Sequence, residues 1–321
     1  MPNLTSTLEF LLLEFSDIQE LQIIHFFVFL AVYLVAVTVN LLIITAVVLD
    51  HHLHMPMYFF LMNLAVLDLG SITVILPKAM DNLLMNKRSI SFSGCVAQVF
   101  FYFLFAGSNF AILIVMAHDR HIAICHPLQY EAIMHEGACI RMAASAWIAG
   151  ILYATLHTSG TFAITFCSNI INQFFCELPQ IVKLSCSDLY LIETGILLFS
   201  AGLFGGCFIY IIITYMKIFA TVLRMPSVNS RKKALSTCIP HLTVVSLLLF
   251  TGMFAYLRPP GNTSSEMNVI CAVIYAILPP LLNPFIYSIR NKEIKTALLK
   301  LIDFGLFPQI SSSKILLVKL S

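Results

Sequence analysis

The sequence predicts an all-α integral membrane protein: a seven-transmembrane helix bundle with a short amphipathic surface helix after the seventh span. Three observations predict it. Hydrophobic residues fill 59% of the 321 positions and only 11% are charged, against about 45–50% apolar in a soluble domain. Mean hydropathy is +0.91. The apolar residues gather in seven blocks that can each cross a bilayer, since ~20 helical residues span its ~30 Å hydrocarbon core. No block has a polar face wide enough for water. Lipid offers the backbone no hydrogen-bond partners, so the blocks are expected to be helices.

The first block, 23–49, follows a tail (1–22) that carries Glu9, Glu14, Asp17 and Glu20 but no base. Lacking a basic n-region and long enough to stay in the membrane, it reads as its own insertion signal rather than a cleaved leader. The second block, 57–80, holds Asp68, the one carboxylate deep in a span. An unpaired charge there costs at least ~2.5 kcal/mol, so Asp68 is expected to be protonated, ion-bound or hydrogen-bonded inside the bundle. Asn40 and Asn283 lie at depths where they could join it. The third block, 96–122, continues the stretch from Cys95 to Arg120, 25 residues on. That is about 37 Å of helix, which sets Cys95 and Asp119-Arg120 at opposite membrane faces.

The fourth block, 140–160, leads into a long connection, 161–194. In the fifth, 195–220, the cluster Gly202 to Gly206 reads as close helix packing. Residues 221–236, with Pro226 and Arg231-Lys232-Lys233, read as a solvated loop. The sixth (237–257) and seventh (269–289) blocks contain Pro240 and Pro284, each expected to interrupt or kink its helix by removing a backbone hydrogen bond. After Arg290, "NKEIKTALLKLI" sets apolar residues at helical spacing between lysines, as in a helix lying on a membrane surface. The chain therefore divides into a tail (1–22), a seven-transmembrane domain (23–290) and a surface helix with C-terminal tail (291–321).

Orientation follows from the basic residues. Thirteen of the 18 Lys and Arg fall on the side opposite the N-terminus, which predicts an extracellular N-terminus and a cytoplasmic C-terminus. The sequon Asn3-Leu4-Thr5 is then an outer glycosylation site. Asn262-Thr263-Ser264 is also outside but hard against the membrane, and is expected to stay unmodified. Cys95, Cys167, Cys176 and Cys186 also lie outside, where disulfides persist. Four cysteines allow three pairings, and the sequence by itself does not choose.

The chemistry available is limited. His118, His121 and Cys125 share a helix face, but CxxC and HExxH signatures are absent, so no metal or cofactor is expected. No GxSxG or other catalytic constellation points to an enzyme. One deep acid is too few for a channel or transporter. No nucleic-acid partner is expected, and membrane lipid is.

Four stretches carry a resemblance: "PMYFFLMNLAVLDL", "MAHDRHIAICHPLQY", "KALSTCIPHLTVV" and "NPFIYSIRNKEIK". In this order and spacing they resemble the signatures of vertebrate olfactory (odorant) receptors, a family of rhodopsin-like (class A) G-protein-coupled receptors. The resemblance covers about residues 8 to 302. It implies a plasma-membrane receptor that takes small, mostly apolar odorants, activates a stimulatory G protein and raises cyclic AMP. A class A receptor of the same fold, used outside the nose for another small ligand, is the alternative. A light-sensing relative would need a lysine in 269–289, which has none.

By the same resemblance, Asp119-Arg120 form the inner switch of the third helix, with Asn283, Pro284 and Tyr287 rearranging beside it. Tyr215 is the fifth-helix tyrosine that meets the arginine on activation. The family pattern pairs Cys95 with Cys176 and Cys167 with Cys186. Its odorant pocket maps onto Tyr102, Phe103, Ala106 and Gly107, opposite Phe199, Ser200, Leu203, Gly252, Met253, Tyr256, Val273 and Ala276. Such a lining is mostly apolar with a few hydroxyls, as a small-molecule site should be.

The chain departs from the family in places. His118 and His121 stand where it usually has tyrosines, and His121 beside Arg120 is expected to add pH sensitivity. Asn109 stands where a glutamate usually faces Asp68, which puts a bound sodium in doubt. The sixth helix reads "LLLFTG" in place of an aromatic "FYG". No cysteine follows Cys271, which excludes palmitoylation of the surface helix.

Overall fold

A computed structural model describes residues 9–13, 18–85, 87–186, 190–256 and 265–303. The expected bundle of seven membrane-length spans is present. Its helices are α1 (Gln19–Leu49), α2 (Pro56–Met85), α3 (Phe92–Cys125), α4 (Glu136–Phe162), α5 (Tyr190–Arg224) and α6 (Val228–Tyr256). The seventh span is built from α7 (Ser265–Ala276) and α8 (Leu278–Arg290), and α9 (Lys292–Asp303) follows it. Both sequons, at Asn3 and Asn262, and the C-terminal tail beyond Asp303 fall outside the described residues, as do the side chains of Met253 and Tyr256.

Helices α3 and α4 outrun their apolar blocks, and a side-chain cap starts each. Ser91 Oγ accepts the Gly94 N–H at 3.1 Å to start α3, and His135 Nδ1 accepts that of Ala138 at 3.3 Å to start α4. Such caps satisfy amides that the first helical turn leaves without partners.

The seventh span breaks at Ile277, not at Pro284 as expected. Pro279 and Pro280 have no N–H for the carbonyls of Tyr275 and Ala276, so one helix ends and the next begins. Pro284 lies inside α8 and Pro240 inside α6 without ending either. Pro284 should leave the carbonyl of Pro280 without a partner, but Asn40 Nδ2 donates to it at 3.1 Å. Asn40 also donates to Ala36 O at 2.9 Å. Its place is thus at the proline, not at Asp68.

Helix α3 runs through the middle and packs on α2, α4, α5 and α6. Its closest approach is to α4, where a Cβ on Gly150 would strike Ser108 Oγ and lie 2.7 Å from the Leu104 carbonyl. The glycines of the fifth span behave differently from expectation. Gly202, Gly205 and Gly206 have open space where a Cβ would stand, because this part of α5 faces outward rather than into a helix. Its neighbours Leu198 and Phe199 are likewise exposed, as lipid-facing side chains are.

A small sheet covers the end that carries the N-terminus. Strand β1 (Glu9–Leu12) lies between β2 (Ser89–Ser91), antiparallel, and β3 (Ile170–Ile171), parallel. Phe10 and Leu12 alternate inward, and pack with Ile90 and Ile171 against α3. The tail therefore contributes a strand, of which hydropathy and charge give no sign.

Candidate functional site

At the end opposite the sheet, Asp119 and Arg120 diverge, as a step of ~100° per helical residue requires. Asp119 Oδ1 accepts the Tyr130 hydroxyl at 2.7 Å. Tyr130 sits in a helical turn, Tyr130–Ile133, between α3 and α4. Burial, with Asp119 beside it, pushes its phenol well above the usual tyrosine range.

Arg120 is 6% exposed and points into the bundle, where Nη1 meets Met57 Sδ. It lines a cavity of about 10 Å³ with Tyr58, Thr237, Tyr287 and Asn291, room for one water at most. Of the two α8 residues Asn283 and Tyr287, Tyr287 reaches this cavity, whereas Asn283 bonds Asp68. Tyr58 bonds Glu293 and also accepts from Asn291 Nδ2 at 3.2 Å. Asn291 Oδ1 in turn accepts the amides of Glu293 and Ile294 at 3.0 and 3.2 Å, which caps α9.

Tyr215 does not bond Arg120. Its hydroxyl lies 2.8 Å from His241 Nδ1, and His241 Nε2 lies 2.9 Å from the Leu113 carbonyl. A carbonyl only accepts, so Nε2 carries the proton, and in a neutral ring Nδ1 accepts from Tyr215. One buried histidine thus ties α6 to both α3 and α5. Sequence reasoning passes over it, although an ionisable residue inside a span is itself a signal. His121 faces His126, with ring centroids 5.5 Å apart, and His118 Nδ1 lies 3.1 Å from the Tyr210 hydroxyl.

Midway along the bundle, both carboxylate oxygens of Asp68 are occupied. Asn109 Nδ2 donates to one at 2.8 Å and Asn283 Nδ2 to the other at 2.9 Å. The asparagine in place of a glutamate therefore bonds the acid instead of adding a second charge.

Above Asp68 is a cavity of about 40 Å³ between α2, α3, α6 and the seventh span. Of the expected pocket residues, Tyr102, Ala106 and Ala276 line it, together with Phe105 and Tyr275. Phe103 and Ser200 lie elsewhere: Phe103 stacks on His157 at 4.9 Å, and His157 Nε2 lies 2.9 Å from Ser200 Oγ. Gly107 packs against Tyr153 and Gly150. Val273 packs into the apolar cluster under the long loop, and Gly252 has open space where a Cβ would stand. Phe199 and Leu203 are 66% and 56% exposed. Phe199 and Leu203, four residues apart, share a face of α5 that points away from the bundle, whereas Ser200 is buried. Sequence spacing alone places both on the wrong face.

The long loop roofs this cavity. Cys95–Cys176 and Cys167–Cys186 are its disulfides. Gln98 Oε1 accepts the Cys176 N–H at 2.8 Å, which fixes the loop to α3. Phe175 then packs on Tyr102 and Tyr275, with centroids 6.0 and 6.4 Å apart, and Phe174 on Phe29 at 5.9 Å. Glu177 Oε1 accepts the Tyr275 hydroxyl at 2.5 Å and Oε2 the Gln173 amide at 3.2 Å.

Burial holds the Glu177 carboxyl above the usual range, against the opposing pull of Tyr275, Gln173, Lys183 and Gln180. A carboxyl whose folded value is raised contributes stability in acid, which is lost as pH rises through that value. The thermal midpoint of the purified protein is expected to fall as pH rises above the ordinary glutamate range, and Glu177→Gln to flatten that slope. An unchanged slope in the variant would assign the effect to another group.

The family model "Olfactory receptor" matches residues 29–303. The chain is 50% identical to olfactory receptor 14I1 of Homo sapiens over 302 residues, 94% of this chain and 97% of the relative. It is 47% identical to olfactory receptor 14C36 of Homo sapiens, with the same coverage, 94% and 97%. Olfactory receptor 1G1 of Gorilla gorilla gorilla is 44% identical, over 94% of this chain and 96% of the relative.

Proposed function

The chain belongs to the olfactory receptor family, and we propose that it binds a small, mostly apolar odorant and activates a stimulatory G protein, raising cyclic AMP. It is a multi-pass membrane protein of a receptor family, not an enzyme. In this reading the sheet and long loop are extracellular, and Arg120 and α9 face the cytoplasm, as the distribution of basic residues favours.

The observation that carries the proposal is that one helix serves both ends. Helix α3 supplies Tyr102 and Ala106 to the cavity and Arg120 to the opposite face. Small-molecule sites run to about 300–1,000 Å³, so the cavity must widen to admit an odorant. A ligand that favours the wider packing shifts the population toward it, and movement of α3 against α6 would free Arg120 for the G protein. Odorant binding at this cavity, rather than at the Phe103–His157–Ser200 cluster, is part of the proposal. A chemically broad odorant panel on cells expressing the chain, read as cyclic AMP, tests it.

His241 holds α6 in the resting arrangement. Its two hydrogen bonds contribute roughly 1–3 kcal/mol together. His241→Phe removes them, and is expected to raise basal cyclic AMP severalfold at equal surface level. Basal signalling at or below wild type would show that the histidine does not restrain α6.

A further inference from the structure

We propose that a groove between α3 and α4 binds one anionic glycerophospholipid of the inner leaflet, with its phosphate on Arg141 and an acyl chain in the groove. The inference rests on the membrane orientation proposed above. The groove measures about 420 Å³ and lies between Ala111 of α3 and Ala138, Arg141, Ser145, Ala146 and Ala149 of α4. Ala138, Ser145, Ala146 and Ala149 leave it open, and Ile114, Val115 and Met142 complete its walls. Arg141, Ser145 and Ala149 recur every four residues and are exposed, so one row of α4 opens the groove to lipid.

Charge selects the occupant. Arg141 is five residues into α4, about 8 Å along the helix axis, at the depth of lipid headgroups. It makes no hydrogen bond or ion pair with any described residue. A second groove, of about 470 Å³ between α1 and α9, also has a cation, Lys300. There Asp50 Oδ2 already pairs with the ammonium at 3.0 Å, and Lys300 holds the Asp50 carboxyl below its ordinary range. The α3–α4 groove instead joins an unpaired cation at headgroup level to an apolar slot running toward the bilayer centre. That combination fits an anionic head with an acyl chain. A sterol offers only a hydroxyl, and a zwitterionic lipid brings no net negative charge to the arginine.

Native mass spectrometry of the full chain, released from membranes of phosphatidylserine, phosphatidylcholine and cholesterol, tests the proposal. Wild type is expected to retain phosphatidylserine preferentially. Arg141→Gln should lower that preference about fivefold, the share of one basic side chain at an anionic surface, and Arg141→Lys should keep most of it. Ala149→Phe, which fills the slot, should lower retention of both phospholipids, while Lys232→Gln, outside the groove, should change nothing. Equal preference in wild type and Arg141→Gln would overturn the proposal, as would cholesterol retained in place of phospholipid. Should Ala149→Phe fail to fold, the Gln and Lys variants of Arg141 decide.

Discussion

Arg120→Ala is expected to abolish odorant-evoked cyclic AMP while leaving the receptor at the cell surface. The reason lies in how the two residues of the switch are held. Asp119 keeps the Tyr130 hydrogen bond when it loses the neighbouring guanidinium charge. The other losses are the contact with Met57 and packing under Tyr58 and Tyr287. Point substitutions cost about 1 kcal/mol on average, which a folded receptor tolerates. The signalling loss has no such cushion, since Arg120 is the group proposed to meet the G protein. Surface labelling and odorant binding near wild-type levels, with cyclic AMP at background, is the expected pattern. A variant that never reaches the surface would instead make Arg120 a folding residue.

The second large effect is at Asp68. Asp68→Leu leaves the side-chain amides of the half-buried Asn109 and the buried Asn283 without their acceptor. Each stranded group costs about 1–3 kcal/mol, so the pair costs roughly 2–6 kcal/mol by the same principle. That is a large fraction of the ~5–15 kcal/mol that holds a typical native protein together. Surface expression should fall severalfold, with a lower thermal midpoint, whether or not odorant is present. Asp68→Asn should be milder. It keeps one oxygen to accept, and its new amide can donate to Asn283 Oδ1, which is buried with no hydrogen-bond partner among the described residues. Equal losses in the two variants would mean that charge, not hydrogen bonding, matters at this position.

Spans and basic residues are legible in the sequence because hydropathy and charge are summed over many residues, and single errors average out. Features set by a few atoms are harder to read. Pro284 reads as the break in the seventh span, but Asn40, far away in sequence, satisfies the carbonyl it frees. The Gly202–Gly206 cluster reads as a packing face, yet only the tertiary arrangement shows that α5 turns it outward and that Gly150 makes the close approach. Within the site, Arg120 and Asp68 are readable as polar groups in apolar helices. His241 carries the same signal, and its role emerges only from the carbonyl and hydroxyl on either side of it. Glu177 gives less warning, because an acid in an outer loop is ordinary until Tyr275 and Phe175 enclose it.

The central claim is that a small molecule in the α3 cavity acts on a G protein through Arg120. Purified receptor in lipid nanodiscs, mixed with a stimulatory heterotrimer and an odorant from the panel, tests it most directly by the rate of guanine-nucleotide exchange. The odorant should accelerate exchange on wild type, and should bind Arg120→Ala without accelerating it. An odorant that binds wild type without changing the exchange rate, or one that accelerates exchange equally on Arg120→Ala, would contradict the account.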